Sequence, residues 1–577
     1  MMSKNTPIGI EDFLKLVNPE NNYLFADRTL LLKKIVKDGA EVTAFHTFRR
    51  SGKSLFASML YYFLSEKVLG ISTQGMFNKL AIGQQDPAFV QQYQGQYPVI
   101  MMTFKGIKVN SFEDAIQSLR DLIQDAYNVF PYLAASEKLT ENDREQYQFF
   151  ASLLGRDRVE ETDIERSLKK LTELLYKHHE KKVWIIIDEY DSPMSKAFIR
   201  GFFENMRDCL RGMLGAALKG NPYIEKGILL GILRMTKESI LSGLNNPKIC
   251  TLLKPMDYSP YFGFTDAEVT QFFEEAGLAC ELEQVREWYN GYYVDGQALY
   301  NPWSIINCID NKGALEPYWA GTSNDELLKE CLLYAPEEVK QQFESLATKG
   351  VPIETELLER VQMEGIYNDA ESLWNLLYAT GYLTGTAILN EAGAYKAKLI
   401  IPNREIHAVY RGIFLGWLRV SFDNKHVAFL NTIRELKIER FVQLVEKYLL
   451  THASTRNLHF EGCYHNLILG MMYGLQETHE LVSDNRECGD GFPDMLIIPK
   501  QKDNRTAILI EFKRGLNEAN DTEKEKILTE ALTQIDEKHY SVELEKHAHV
   551  QQVLKIAMVF IGKHIVWKQA TEELKRK

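Results

Sequence analysis

Two groups of residues in this 577-residue chain have the types and spacing for phosphate chemistry. The first begins at Gly52-Lys53-Ser54, between a stretch that reads as a short buried strand (41–47) and one whose Leu55, Met59 and Phe63 recur on one helical face. A strand–turn–helix of this kind points backbone N–H groups at phosphate oxygens, places a lysine on the β- and γ-phosphates and offers a hydroxyl to Mg²⁺. Thr47 stands where the first glycine of a G-x-x-x-x-G-K-[ST] loop is usual. The partner set lies far downstream, where Val183-Trp184-Ile185-Ile186-Ile187 reads as a buried strand ending in Asp188-Glu189. Ligands bind beyond the carboxyl ends of parallel strands, so Asp188 is placed to hold Mg²⁺ and Glu189 to polarise an attacking water. This reading assigns Arg50, Gly52, Lys53, Ser54 and Asp188 to ATP, Ser54 and Asp188 to Mg²⁺, and Glu189 to catalysis. Arg49, Arg50 and Arg234 are candidates for anion contacts or, equally, for surface ion pairs.

The second group lies near the end of the chain. Asp494 opens the apolar run 495–498, and a further apolar strand leads to Glu511-Phe512-Lys513. Side chains alternate along a strand, so Glu511 and Lys513 share a face and Phe512 takes the other. With Asp494 on the preceding, antiparallel strand, two carboxylates converge on one hard cation, with the Phe512 carbonyl as a further possible oxygen ligand. Such a cation acidifies a water and offsets phosphate charge during in-line attack, while Lys513 orients the water or stabilises the pentavalent phosphorus. Asp494, Glu511 and Lys513 are therefore the candidate catalytic trio, with Asp494 and Glu511 as Mg²⁺ ligands. Glu461 and His465 share a face of the helix before it. Glu461 is a candidate to join the cation, His465 reads as structural, and Gln534 either reaches a phosphate, holds Lys513 or lies on plain helix surface.

The elements that must position these groups follow a simple pattern. Strands are expected at 41–47, 98–104, 183–187 and 227–233, separated by amphipathic helices such as 113–128 and 164–179. Alternation of this kind means a parallel sheet covered on both faces. After about 255 the pattern turns helical, with an aromatic, turn-rich cap at 288–304 and a short β piece near 380–402. From 455 a helix (461–475), strands at 494–498 and 506–513, a helix (522–538) and a strand (554–561) form another α/β unit. The boundaries read as 1–255, 256–450 and 451–577.

Composition excludes several classes. With 45% hydrophobic and 25% charged residues the chain is neither disordered, collagenous nor a coiled-coil rod. A net charge of −12 argues against a general nucleic-acid coat, though not against a local basic groove. Seven dispersed cysteines with no C-x-x-C pair read as reduced thiols of a cytoplasmic protein. The start lacks a secretory h-region, and no run of 18 apolar residues marks a membrane span.

With those residues in place, the chain resembles the bacterial proteins that pair an AAA-ATPase-like domain with a C-terminal PD-(D/E)XK nuclease domain. The resemblance runs through Pro7-Ile8-Gly9, Asp27-Arg28-Thr29, Arg49-Arg50-Ser51-Gly52-Lys53-Ser54, Asp188-Glu189-Tyr190-Asp191 and Ser242-Gly243-Leu244-Asn245-Asn246. It continues through Tyr261-Phe262-Gly263-Phe264-Thr265, Trp288-Tyr289-Asn290-Gly291-Tyr292, Tyr300-Asn301-Pro302-Trp303-Ser304, Gly381-Tyr382-Leu383 and Ile401-Pro402-Asn403. Asn485-Arg486-Glu487, Asp494, Glu511-Phe512-Lys513, Gln534-Ile535 and Tyr540 complete it. It implies a P-loop ATPase core and a restriction-endonuclease-like α/β domain. Members of the family lack the first loop glycine too; they usually carry Arg-Pro where Thr47-Phe48 stand, and often an arginine at Phe492. The resemblance leads to the expectation of ATP and Mg²⁺ as cofactors and nucleic acid, DNA rather than RNA, as partner. The expected function is an ATP-hydrolysing protein coupled to a Mg²⁺-dependent nuclease in mobile-element or defence biology. The alternative is a signalling or scaffold ATPase whose nuclease-like domain binds without cleaving.

Overall fold

The structure is a computed structural model. It describes residues 4–574, less 156–158, 235–246, 255, 280, 320–330, 391–393, 411–425, 453–460, 484–492, 502–503 and 516–519, and scattered positions within 333–349, 362–368, 473–477 and 539–545. Of the motif residues above, Ser242–Asn246, Asn485–Glu487, Phe492 and Tyr540 lie outside the described residues.

The chain divides into two compact units, Met1–Val409 and Tyr410–Lys577. The sequence boundaries at 255 and 450 differ from this division, because residues 256–409 pack into the same unit as the first sheet.

That sheet holds five parallel strands: β1 (Val42–His46), β2 (Val99–Thr103), β3 (Val183–Asp188), β4 (Ile224–Gly231) and β5 (Lys248–Cys250). Their order across the sheet is β2-β3-β4-β1-β5. β1 and β3 are buried at every position, as expected of strands covered on both faces by helices. The covering helices include α1 (Lys53–Leu64), α2 (Phe112–Asn128), α3 (Glu161–His179), α4 (Ser192–Arg200) and α5 (Phe203–Leu218). From β1 the chain crosses to the far edge and works back through β3 and β4, then passes β1 to place β5 on its other side. The order therefore reverses beside β1, and a crevice opens beyond the strand ends at such a switch point.

Among the described residues, 256–409 mix helices with short strands. They contain a hairpin, Tyr292–Val294 with Gln297–Leu299, then α6 (Pro302–Asp310) and α7 (Ala370–Thr380). They also form an antiparallel sheet of β6 (Ile353–Leu357), β7 (Thr384–Leu389) and β8 (Tyr395–Ile400), with β8 in the centre. β7 and β8 are the β piece expected near 380–402, while β6 was not expected because it is a short run that alternates charged and apolar side chains.

The second unit is a sheet of β9 (His479–Ser483), β10 (Met495–Pro499), β11 (Thr506–Arg514), β12 (Gln552–Ile561) and β13 (His564–Glu573), in that order. Only β11 and β12 run parallel, as two strands joined through a helix, α10 (Asp521–Glu537), readily do. Alternation divides the sheet cleanly. Ile508, Ile510, Phe512, Met558 and Phe560 pack with helices α8 (Ile438–His452) and α9 (Glu461–Met472). Leu509, Ala557 and Val559 turn to the other face, where Leu528, Ala531 and Ile535 of α10 cover them. The expected strands and helices of this unit fall within three residues of their observed ends, while β9 and β13 are additions.

Candidate nucleotide site and candidate nuclease site

β1 delivers the chain into a loop, 47–52, that ends at the N-terminus of α1. Arg50 (φ 63°) and Gly52 (φ 99°) both take left-handed backbone here, a conformation that costs nothing only for glycine. Gly52 caps α1 without a side chain, so the first-turn N–H groups are left to an anion. Ser54, in that first turn, donates from Oγ to Asp188 Oδ2 at 2.6 Å. A bond between residues 134 positions apart thus joins the loop to the end of β3. Lys53 folds back and donates from Nζ to the carbonyls of Thr47 (3.0 Å) and Phe48 (2.9 Å). Burial pushes its ammonium down to about 8, against the pull of Asp188, Asp191 and Glu189. Burial likewise raises the carboxyls of Asp188 and Glu189, and for Glu189 the neighbouring Asp188 adds to the effect.

Beside them lies a cavity of about 510 Å³. Arg50, Gly52, Lys53, Ser54 and Glu189 all line it, so the early candidates are brought together. Asp188 Oδ1 is buried and has no hydrogen-bond partner among the described residues. An oxygen of that kind beside a serine hydroxyl fits a divalent cation. Arg50 lays its guanidinium over the Trp303 ring, 4.5 Å from its centroid, and Arg49 also lines the cavity. Arg234 is directed elsewhere and pairs with Glu359 at 2.7 Å.

The loop is gripped from residues 256–409. Phe48 stacks on Tyr292 with centroids 4.6 Å apart, Asn301 Nδ2 donates to the Arg49 carbonyl, and the Gly263 N–H donates to the Ser51 carbonyl. The aromatic segment 288–304 is therefore a wall behind the loop. Asp191, fully buried, accepts from the N–H groups of Ile232 (3.0 Å) and Leu233 (2.7 Å) and so fixes the exit of β4. A Cβ at Gly231 would meet its carboxylate at 2.6 Å, so only glycine fits there. His46, pushed down to about 3 by burial, meets the Tyr190 hydroxyl at 2.6 Å and links β1 to the same turn. Asp191, Lys105, Lys196 and Arg28 also line the cavity, although no spacing in the sequence marks them for it. Lys105 had one available signal: it follows a strand end of a parallel sheet.

In the second unit Asp494 sits one residue before β10, opposite Glu511 in the register that pairs Met495 with Ile510. Its Oδ2 accepts from the Phe512 N–H at 2.7 Å. Glu511 is 1% exposed, and Lys513 Nζ lies 3.0 Å from its Oε1. The late trio is therefore assembled on one face, on the α10 side of the sheet. Among the described residues no group of three or more His, Cys, Asp or Glu gathers. Two carboxylates with the remaining positions left to water and phosphate is the donor set that suits Mg²⁺. His465 lies on the opposite face, its ring 5.7 Å from that of Phe512, in keeping with a structural part. The Glu461 side chain lies outside the described residues. Gln534 is half-buried on α10, next to the core residue Ile535.

Residues 7–241 match the family model described as predicted AAA-ATPase, and residues 459–570 match the PD-(D/E)XK nuclease superfamily. The chain thus joins an AAA-ATPase-like domain to a C-terminal PD-(D/E)XK nuclease superfamily domain, and its fold is α/β in both. A curated relative, an uncharacterized protein in the vnfD 5′ region of Azotobacter chroococcum mcd 1, is 25% identical over 416 residues, which is 71% of this chain and 69% of that protein. Among solved structures, the Walker-type ATPase PABY2304 of Pyrococcus abyssi matches at 14% identity and a TM-score of 0.33, over 68% of this chain and 97% of the other. The Aeropyrum pernix ORC1 protein, solved in complex with DNA, matches at 8% identity and a TM-score of 0.26, over 69% and 95%.

Proposed function

We propose that this chain binds and hydrolyses ATP in its first unit and cleaves DNA phosphodiester bonds in its second. The observation that carries the reading is the Ser54–Asp188 contact beyond the carboxyl ends of the parallel strands, which sets a hydroxyl and a carboxylate with a second, unpartnered oxygen beside the first turn of α1, as phosphate with a hard cation requires. In this reading α1's N-terminus and Lys53 receive the phosphates, Ser54 and Asp188 hold Mg²⁺, and Glu189 accepts a proton from the attacking water. Burial of Glu189 suits that task, because a raised carboxyl is a better base near neutral pH. In the second unit Asp494 and Glu511 hold Mg²⁺, and Lys513 steadies the phosphate under attack. At both sites the cation supplies charge neutralisation and Lewis acidity at phosphate oxygens. DNA is favoured over RNA by the superfamily resemblance, and mobile-element or defence biology is the setting it suggests. Nucleotide state is expected to control the nuclease.

The test is equilibrium binding of ATP with Mg²⁺ to wild type and Lys53→Ala. The variant should bind at least about 100-fold more weakly, as expected for loss of a charged phosphate contact in a buried site. Equal affinity in both proteins would remove the nucleotide reading.

A further inference from the structure

Lys105 stands at the cavity in a position that phosphate binding by the loop does not explain. It follows β2, the strand beside β3 and farthest from the loop. Thr103 pairs in register with Asp188, and the Phe104 N–H donates to the Asp188 carbonyl at 2.9 Å, so the backbone leading to Lys105 is locked to the acidic strand end. Lys196 of α4 reaches the same turn and lies 3.4 Å from the Ile107 carbonyl. Lys105 Nζ pairs with Glu11 at 2.7 Å, each side chain about half exposed, and both residues line the cavity with Glu189. An exposed pair of this kind contributes little, so its partners exchange readily.

Resting on the ATP reading above, we propose that Lys105 is a terminal-phosphate ligand: it leaves Glu11 for the γ-phosphate and makes the site distinguish ATP from ADP. With Lys53 on the β- and γ-phosphates and Ser54 and Asp188 beside them, the terminal phosphate is the one turned toward the ends of β3 and β2, where Glu189 and Lys105 line the cavity. The diphosphate ends short of that point and leaves the Glu11–Lys105 pair intact. The same charge, set opposite Glu189, stabilises the negative charge that develops on the phosphoryl oxygens. The site would then carry its own cation for hydrolysis on this chain.

The experiment measures the affinity of ADP and of a non-hydrolysable ATP analogue, both with Mg²⁺, in wild type, Lys105→Ala, Lys105→Arg and Glu11→Gln, alongside ATP hydrolysis. Lys105→Ala should weaken the analogue about tenfold and slow hydrolysis by more than that, as loss of one charge-assisted phosphate contact predicts, while ADP binding changes less than about twofold. Lys105→Arg should restore discrimination, and Glu11→Gln should tighten the analogue by freeing the lysine. Unchanged preference for the analogue over ADP in Lys105→Ala would overturn the proposal and leave the ATP site standing. A wild type that binds neither nucleotide would overturn both.

Discussion

At the scale of single residues, the two sites show the same economy: a few side chains meet because strands place them, across the sheet at the first site and along one strand at the second. Ser54 and Asp188 meet at 2.6 Å, and Lys513 and Glu511 at 3.0 Å. Their proposed roles separate by kinetics. Glu189→Gln is expected to bind ATP as wild type does but to hydrolyse it about 10²–10³-fold more slowly, the usual loss when a general base is removed. Hydrolysis within twofold of wild type would take the base away from Glu189. Asp494→Ala removes a cation ligand and also the acceptor of the Phe512 N–H. Asp494→Asn keeps that acceptor, so it should abolish metal-dependent cleavage while leaving the melting temperature within a few degrees. A collapse in stability with Asn would mean that Asp494 serves the fold instead.

At the scale of elements, the segment 288–304 and its supports decide whether the loop is held. Gly291 (φ 109°) lies so close to Pro402 that a Cβ would stand 2.2 Å from its carbonyl oxygen. Asn403 Nδ2 donates to the Asn290 carbonyl across the same junction. Gly291→Ala should therefore cost about 2–4 kcal/mol by strain and overpacking, read as a lower denaturant midpoint; an unchanged midpoint would show that the junction yields easily. Below it, Glu405 is fully buried and accepts from Ser304 Oγ and the Trp319 N–H. Burial raises its carboxyl from an ordinary 4.5 to about 7, against those hydrogen bonds. The fold thus keeps a proton that the unfolded chain releases. Its contribution is full below pH 4.5 and is lost as pH rises through 7. Glu405→Gln, always neutral, should match wild type in stability near pH 4.5 and exceed it by about 2–3 kcal/mol at pH 8. Denaturant unfolding at the two pH values checks this, and a gap that ignores pH would contradict it.

These elements also show what was legible in the sequence. β3, β10 and β11 announce themselves because continuous apolar runs are bounded by charged residues, and helices such as α3 because their apolar stripe is long. The wall behind the loop was not legible as a wall. Phe48, Tyr292 and Gly381 come together only through tertiary packing, and no period in the sequence links them. For the same reason Arg50 was visible as a charge but its seat on Trp303 was not. Arg234 was visible as a polar strand end, and its partner Glu359 follows β6, a strand the sequence did not reveal.

At the scale of the whole molecule, the chain is two compact units, each with a five-stranded sheet and a candidate site. Among the described residues no helix is long and apolar enough to cross a membrane. The proposed function requires both sites to be chemically competent and the first to govern the second. The most direct measurement is Mg²⁺-dependent cleavage of single- and double-stranded DNA and RNA, with and without ATP, by wild type and by the Asp494 variant. The account predicts DNA cleavage that needs the divalent cation, responds to ATP and disappears with Asp494→Asn. Wild-type protein that binds nucleic acid yet leaves every substrate intact under all these conditions would contradict it.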